Sequence, residues 1–425
     1  MENGLIKRNL LPVAQEMIEH APVVVISGAR QVGKSTLMQM LLGQLQHRLV
    51  NLDSAVARES AIFDPEGFAD QFPEGVLAID EVQRVPDLLL SIKLSVDRKR
   101  RAGRFLLTGS ANLLTASGSQ ESLAGRAQTI RLYGLSQGEL RGRVEDFAAF
   151  AWALPTLTPS VPTEVLSRAE YLKLATASCY PELQGMQPRA QRRWIDSYLE
   201  RVLSKDVGDV SGIRLRDRLR PLMSLIAAEN TSEFVNQRYG QALDLPARSV
   251  PSYMQALEDV FLIHRIPAWG HNLSKRAVAK PKICVADPGV AAHLAGVNLR
   301  GLEHDISSSL TGGFIEAFVV GELFKQQGWS EVDFTVHHWR DSGNGDHEVD
   351  IVLENRAREI VGVEVKAQTT LGAKHFKGLQ RLRDLADKRF VAGIVLYTGS
   401  EVMPFGDRLW AMPINSLWEA NYLPQ

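Results

Sequence analysis

Cysteine is nearly absent: Cys179 and Cys284 are the whole supply in 425 residues. Two thiols exclude a disulfide scaffold and a cysteine-ligated zinc site, and they fit a reducing, cytoplasmic compartment. No charge of one sign dominates. Lys plus Arg total 48 and Asp plus Glu total 49, a formal net charge of -1. A chain held to nucleic acid by overall charge is thereby excluded, leaving only local basic patches. Long apolar runs are missing too. Val23–Ile26 is too short to span a membrane and leads straight into a Gly-rich motif, so neither a membrane span nor a secretory leader is expected. Internal repeats and low-complexity tracts are lacking as well. The remainder is ordinary, with 45% hydrophobic and 23% charged residues, and the length allows two or three domains with real cores.

The first 150 residues alternate short apolar runs with helical stretches. PVVVIS (22–27), RLVNLD (48–53), GVLAID (75–80), RFLLTGS (104–110) and QTIRLY (128–133) are strand candidates, and TLMQMLLGQL is a helix. Continuous apolar strands separated by helices predict a buried parallel sheet. The Pro/Ser/Thr-rich stretch at 151–163 reads as a linker. Residues 164–300 read mostly helical, and a helix, turn, second helix and strand there have helix-turn-helix or winged-helix syntax. Pro246 and Pro251 disturb the second helix of that pattern. From about residue 310, an apolar helix and four strand-like runs indicate a C-terminal α/β module.

Residues 28–35, GARQVGKS, satisfy G-x-x-x-x-G-K-[ST] between a strand and a helix. Gly28 and Gly33 let the backbone wrap a phosphate, and the N–H groups from Ala29, Arg30, Gln31 and Val32 through to Thr36 point donors at the anion. Lys34 is placed to reach the β/γ-phosphates of ATP and Ser35 to ligate Mg²⁺. GVLAIDEVQ (75–83) ends a strand in two acids, where α/β sheets bind ligands. Asp80 is the candidate to hold Mg²⁺ through water, and Glu81 to activate the attacking water. Thr108 and Ser110 in LLTGS are candidates to sense the γ-phosphate or to position water. Arg126, after Gly125, is a candidate to stabilise transition-state charge, in its own site or in a neighbouring subunit's.

GARQVGKST, LAIDEVQ, LLTGS and LAGR together resemble the AAA-type ATPase module of a large prokaryotic family whose members carry a conserved C-terminal domain of unknown function. The resemblance implies a RecA-like sheet, Lys34 and Ser35 at phosphate and metal, Asp80 and Glu81 at metal and water, and Arg126 as an arginine finger. It also suggests oligomerisation.

In EVDIVLENRAREIVGVEVKA, Asp350 opens one strand, while Glu364 and Lys366 share a face of the next. A turn near 355–358 would bring Asp350 towards Glu364. Two carboxylates can bind Mg²⁺ and a lysine can orient water or stabilise phosphate charge. Glu322, on the preceding helix, is a further acidic candidate. The pattern resembles the PD-(D/E)xK nuclease fold, with Asp350, Glu364 and Lys366 as its acid–acid–lysine core and Glu322 as its helical glutamate. Val349 stands where that family's name has proline. An active nuclease, a binding domain, and a chance pattern of solvated charges all remain open.

From Arg189 to Arg220 there are nine Lys/Arg and five Asp/Glu. Arg214, Arg216, Arg218 and Arg220 lie two apart, so one helix face does not hold all four. Arg98, Lys99, Arg100, Arg101 and Arg104 form a denser run, facing phosphate, solvent or an acidic partner. His337, His338 and His347 lack zinc spacing. The expected fold is α/β multidomain: a RecA-like/AAA-type P-loop ATPase domain at 1–155, a helical winged-helix-like domain at 164–305, and an α/β domain at 306–425 resembling a restriction-endonuclease fold. The expected activity is Mg²⁺-dependent ATP hydrolysis coupled to control of a partner. Duplex DNA, another copy of the chain and a regulatory protein are the partner classes. An ATP-dependent nuclease and a low-turnover interaction switch are the alternatives.

Overall fold

The computed structural model describes residues 5–419 except 44, 111–122, 211–212, 214, 271–275, 277–278, 305–308, 342 and 344–345. Arg214 therefore lies outside the described residues. Three sheets follow one another along the chain. The first is wholly parallel, in the order β2-β3-β4-β1-β5, with β1 Val23–Ser27, β2 His47–Asn51, β3 Val76–Asp80, β4 Phe105–Gly109 and β5 Ala127–Arg131. The three central strands are buried along their whole length, which is why they read as continuous apolar runs. Strands β2 and β5 form the edges and carry polar residues such as His47, Arg48 and Gln128. Along β1, Val24 and Ile26 pack on one face with helices Leu11–His20 and Lys34–Leu42, while Val23 and Val25 pack on the other with helix Leu88–Arg98.

The middle region begins with helix Pro188–Arg201. It then runs as helix Leu219–Ala228, β6 Ser232–Glu233, helix Asn236–Leu243, helix Val250–Asp259, β7 Ile263–Ile266 and β8 Lys282–Val285. The small sheet has the antiparallel order β6-β8-β7. Pro251 sits in the first turn of its helix, where a missing N–H costs no hydrogen bond, so it does not break the element. These helices share one apolar cluster with the first sheet's helices, from Leu10 and Leu37 through Tyr198 to Leu257.

The third sheet runs β13-β14-β12-β11-β10-β9. Strands β9 Phe334–Asp341, β10 His347–Asn355 and β11 Ile360–Lys366 form an antiparallel meander, as the turn near 355–358 requires. Strands β12 Phe390–Tyr397 and β14 Leu409–Pro413 continue parallel to β11, and β13 Met403–Pro404 closes the edge. Helix Ser309–Gln326 covers one face and helix Lys377–Ala386 the other.

The sequence-stretch expected as a linker at 151–163 begins inside a helix, Phe147–Ala153, whose residues 147–151 are all buried. That helix and helix Arg168–Leu174 pack into the core of the third sheet, beside Phe318 and Trp418. The apolar face of FAAFA overrides the Pro/Ser/Thr signal that follows it. Among the described residues no helix is long and apolar enough to cross a membrane. If residues 147–153 are core, Phe147→Ala leaves a cavity and destabilises the C-terminal unit by about 3–5 kcal/mol. Urea unfolding would show this, whereas a change under about 0.5 kcal/mol, the usual size for an exposed site, would contradict the packing.

Candidate nucleotide site and C-terminal cluster

The loop 28–33 leaves the carboxyl end of β1, between β4 and β5, where the connection to β2 moves the chain away across the sheet; such switch points leave a crevice for ligands. Gly28 lies against β5's exit, and a Cβ there would sit 2.2 Å from the Leu132 carbonyl oxygen, so any side chain would push the loop outwards. Gly33, at φ +98°, turns the backbone into helix Lys34–Leu42 in a conformation that L side chains rarely adopt. Gln31 adopts φ 63° and reaches Glu182, with its Nε2 3.3 Å from the carboxylate.

Lys34 is 5% exposed. Its Nζ donates to the carbonyl oxygens of Gly28, at 3.0 Å, and Ala29, at 2.8 Å. Burial pulls its pKa down to about 8, against the opposing fields of Glu81 and Asp80. The ammonium is thus held inside an anion cradle at an electrostatic cost that a phosphate would relieve. The Ser35 hydroxyl donates to Asp80, with its two carboxylate oxygens at 3.2 and 3.0 Å. Fully buried Thr108 also donates to Asp80, and the Asn51 amide adds a contact at 3.3 Å. Glu81 is held at φ 59°, and its N–H donates to the Thr108 hydroxyl at 3.2 Å. Gln83 donates to the Glu81 carboxylate and to Ser110 Oγ, 3.0 Å away. The Thr108 hydroxyl therefore joins the two acids directly. Ser110 is tied to Glu81 alone, through Gln83, a residue the sequence did not single out.

Arg30, Gln31, Gly33, Lys34, Ser35, Thr36 and Glu81 line one side of a cavity of about 560 Å³. Trp194, Tyr198 and Arg201, from helix Pro188–Arg201, line the other. Trp194 and Tyr198 stack with ring centroids 5.0 Å apart and planes 6° from parallel. Arg30 crosses the cleft to pair with Asp206, which raises its pKa despite burial. No sequence signal marked this helix as part of the site, because the contacts join segments more than 150 residues apart. Arg8 was missed because its partners, too, are distant in the chain, 24 to 131 residues away. It donates to the Val32 carbonyl at 2.9 Å and pairs with Glu139 at 2.9 Å, bracing the loop from behind.

Arg126 does not join its own site. Its carbonyl accepts from Val23 N–H at 3.2 Å, placing it at the amino end of β1, about 13 Å of strand away from the loop. Its guanidinium pairs with Asp97 instead, at 2.6 and 2.9 Å. The basic run before β4 is also occupied. Arg98 pairs with Glu66, Lys99 with Glu74, and Arg104 with Asp70, while Arg100 and Arg101 donate to carbonyls. Arg220 pairs with Asp196 at 2.6 Å and Arg216 donates to the Ser204 carbonyl at 2.9 Å.

In the third sheet Asp350, Glu364 and Lys366 do converge. Lys366 Nζ lies 2.5 Å from Glu364 and 3.9 Å from Asp350. Asp350 accepts from Val365 N–H at 2.8 Å. Glu322 is elsewhere: fully buried, it accepts from Gln137 N–H at 2.8 Å and from Lys325 at 2.5 Å. The glutamate of that helix facing the cluster is Glu316, six residues earlier and so on a different helix face. Between Glu316 and Asp350 stands Lys282, the first residue of β8, 3% exposed. It lies 2.9 Å from Glu316, 2.7 Å from Glu348 and 3.7 Å from Asp350. Two ammonium groups thus pair with the four carboxylates without balancing them, and burial pushes Glu316 and Glu364 up to about 8. Among the described residues, no group of three or more His, Cys, Asp or Glu side chains is arranged to hold a metal. His338 is buried and His337 half-buried, and desolvation pushes the pKa of each down to about 4; Nε2 of His337 meets the Thr335 hydroxyl and Nε2 of His338 the Lys280 carbonyl.

Residues 20–141 match the family described as an AAA domain. Residues 168–300 and 311–417 match two domains of unknown function, DUF8612 and DUF4143. The chain therefore carries an AAA-type P-loop ATPase domain, followed by two regions whose families have no stated function. Uncharacterized protein Rv2008c of Mycobacterium tuberculosis and Uncharacterized protein Mb2031c of Mycobacterium bovis are each 25% identical over 414 residues, spanning 97% of this chain and 84% of the relative. Among solved structures, the Walker-type ATPase PABY2304 of Pyrococcus abyssi is similar with a TM-score of 0.42 at 15% identity, over 68% of this chain and 96% of that one. RuvB T158V of Thermotoga maritima gives 0.24 at 18% identity, over 60% of this chain and 87% of its own.

A phosphate placed against Lys34 raises its pKa from about 8 back towards 10.5, so nucleotide binding between those pH values takes up a proton. Calorimetry in buffers of different ionisation enthalpy reads this directly. Uptake that is absent, or that persists in Lys34→Ala, would contradict the burial argument.

Proposed function

We propose that the protein is a Mg²⁺-dependent ATPase that hydrolyses ATP to ADP and phosphate and uses its nucleotide state to move the middle region and the C-terminal module. The carrying observation is the convergence of Lys34, Ser35 and Glu81 on one cavity at the carboxyl ends of β1 and β3, closed by a helix of another region, with Asp80 bonded to Ser35. The loop N–H groups and Lys34 bind the phosphates. The donor set fits Mg²⁺, which prefers a hydroxyl and carboxylate-held waters; Ser35 and Asp80 would hold it. Bound there, Mg²⁺ neutralises charge on the β/γ-phosphates. Glu81 orients a water and takes its proton as the water oxygen bonds to the γ-phosphorus and the bond to ADP breaks. Thr108 and Gln83 fix the two acids. Arg201 and Arg30, at the cavity wall, are the cationic groups of the same chain placed to meet charge on the transferring phosphoryl group. For Arg126 this reading leaves a role only in a neighbouring copy's site, within a homo-oligomer.

The α-β-α-α-β-β order of residues 219–285 supports a winged-helix reading of the middle region. As a duplex-DNA reader it is poorly equipped. Helix Val250–Asp259 carries no Lys or Arg. The segment after β7 is docked on the third sheet, where Trp269 N–H donates to the His338 carbonyl at 2.6 Å and Ala268 bridges His338. Control of the C-terminal module or of a protein partner therefore suits the site better than DNA reading. The α-β-β-β-α-β order of residues 309–397 supports likening that module to the restriction-endonuclease fold. Cleavage is not part of the reading, because Lys282 and Lys366 occupy its carboxylates.

With Glu81→Gln, ATP turnover falls about 100-fold or more while ATP binding persists; unchanged turnover overturns the assignment of the base. Turnover that rises with protein concentration and drops in Arg126→Ala marks the role in a neighbouring site, whereas concentration-independent turnover that this variant leaves alone rules it out.

A further inference from the structure

Helix Pro188–Arg201 lies along the phosphate loop, and two loop residues fix its direction. Arg30 pairs with Asp206, five residues past the carboxyl end of that helix, and the field of Glu81 reaches the same guanidinium. Its neighbour Gln31 reaches the other way, to Glu182, which precedes the helix. The shared cavity therefore has two unlike ends. Arg30, Arg201 and Glu81 line the end where the phosphoryl group is transferred. Pro181, Glu182 and Trp194 line the other, where the charged group is a carboxylate that repels phosphate. Trp194 precedes Arg201 by seven residues, about 10 Å of helix, comparable to the reach of an extended ribose triphosphate.

Trp194 is the half-buried member of an aromatic trio whose other two rings, Tyr180 and Tyr198, are buried. The ring centroids of Trp194 and Tyr198 lie 5.0 Å apart, those of Tyr180 and Tyr198 5.1 Å, and those of Tyr180 and Trp194 5.4 Å. So nearly equilateral a triangle puts both tyrosines on the same side of the indole. The Tyr198 ring, only 6° from parallel, covers that face. The two phenol hydroxyls are hydrogen-bonded at 2.7 Å, which holds the backing in place. The indole face away from the tyrosines is the one they leave uncovered, on a residue that lines the cavity. A flat apolar ring on a fixed backing, beside a polar loop, is a preformed stacking platform.

We propose that Trp194 is the base-binding residue of the nucleotide site, its uncovered face stacking on a purine ring while the loop holds the phosphates. Every base offers a π-face, and the fused rings of a purine cover an indole more fully than the single ring of a pyrimidine. The middle region, whose matching family has no stated function, thereby touches the nucleotide directly and selects its base. The inference rests on the reading that ATP occupies this cavity, and it adds the residue that discriminates among nucleotides there.

The test titrates the full chain with ADP, CDP and pyrophosphate, each with Mg²⁺, by calorimetry. Pyrophosphate carries the phosphates of ADP without its base. ADP affinity is expected to fall about tenfold or more in Trp194→Ala and to stay within about threefold in Trp194→Phe, while pyrophosphate binds all three proteins alike. Wild type and Trp194→Phe favour ADP over CDP, and Trp194→Ala loses that preference. Unchanged pyrophosphate affinity also shows that the loop is folded in the variants. If Trp194→Ala does not fold, intrinsic fluorescence decides: ADP quenches the wild type, pyrophosphate does not, and the quench is gone in Trp194→Phe. Unchanged ADP affinity in Trp194→Ala, equal losses for ADP and pyrophosphate, or a quench that survives in Trp194→Phe overturns the proposal and leaves the ATPase reading standing. A wild type that binds neither ADP nor pyrophosphate overturns both.

Discussion

Much of the arrangement hangs on one buried ion pair, Arg8 with Glu139. The two side chains are 7% and 0% exposed. Arg8 also donates to the carbonyls of Val32, in the phosphate loop, and Tyr133, after β5, both at 2.9 Å. Glu139 accepts in turn from the N–H groups of Asn9 and Ser136, at 2.8 and 2.9 Å. Nearly every lone pair and proton is used, which is the condition under which a buried pair holds rather than weakens a fold. Removing either partner would leave a naked internal charge, at a cost of about 3–5 kcal/mol. The N-terminal segment, the back of the phosphate loop and the chain leaving the first sheet are fixed relative to one another by this contact.

From there the constraint passes to helix Ser309–Gln326. The residue after Ser136 donates its N–H to Glu322, and Lys325 donates to the Leu135 carbonyl at 3.0 Å. One end of that helix is therefore pinned behind the nucleotide site. Nearer its other end, Glu316 meets Lys282 and, through it, Glu348 and Asp350. A single rigid element thus touches the surroundings of both polar centres, a physically continuous route for a change at the nucleotide to be felt at the third sheet. Lys282 has a second consequence. It belongs to the middle region's sheet yet neutralises acids of the C-terminal one, so those carboxylates are covered only while the two regions stay docked.

The local parts of this account were legible in the sequence. The apolar runs marked β1, β3 and β4 because central parallel strands are buried on both faces. GARQVGKS and the Asp80–Glu81 pair announced their geometry through chemistry that needs fixed spacing, and the period of two placed Glu364 beside Lys366. The failures share a cause. Glu316 gave no signal and Glu322 pointed the wrong way because helix Ser309–Gln326 is apolar almost all round, so no polar stripe reveals which face meets the sheet. Arg126 was open to a role in its own site or a neighbour's, and only strand register shows that it sits at the end of the sheet away from its own phosphate loop. Arg8, Asp206 and Lys282 act across separations of 24 to 176 residues in the bonds that define them, Arg201 lines a cavity shared with the distant phosphate loop, and nothing local encodes such contacts. The helix Phe147–Ala153 was masked by the Pro/Ser/Thr stretch beside it.

The central claim is that nucleotide sits between the phosphate loop and helix Pro188–Arg201, so that the middle region senses it. Amide hydrogen exchange across Pro188–Arg201, with and without ATP in the Glu81→Gln variant, addresses this most directly. The account predicts slower exchange in that helix together with the loop 28–35 when ATP is bound. Protection confined to the loop, with the helix unchanged, would contradict it.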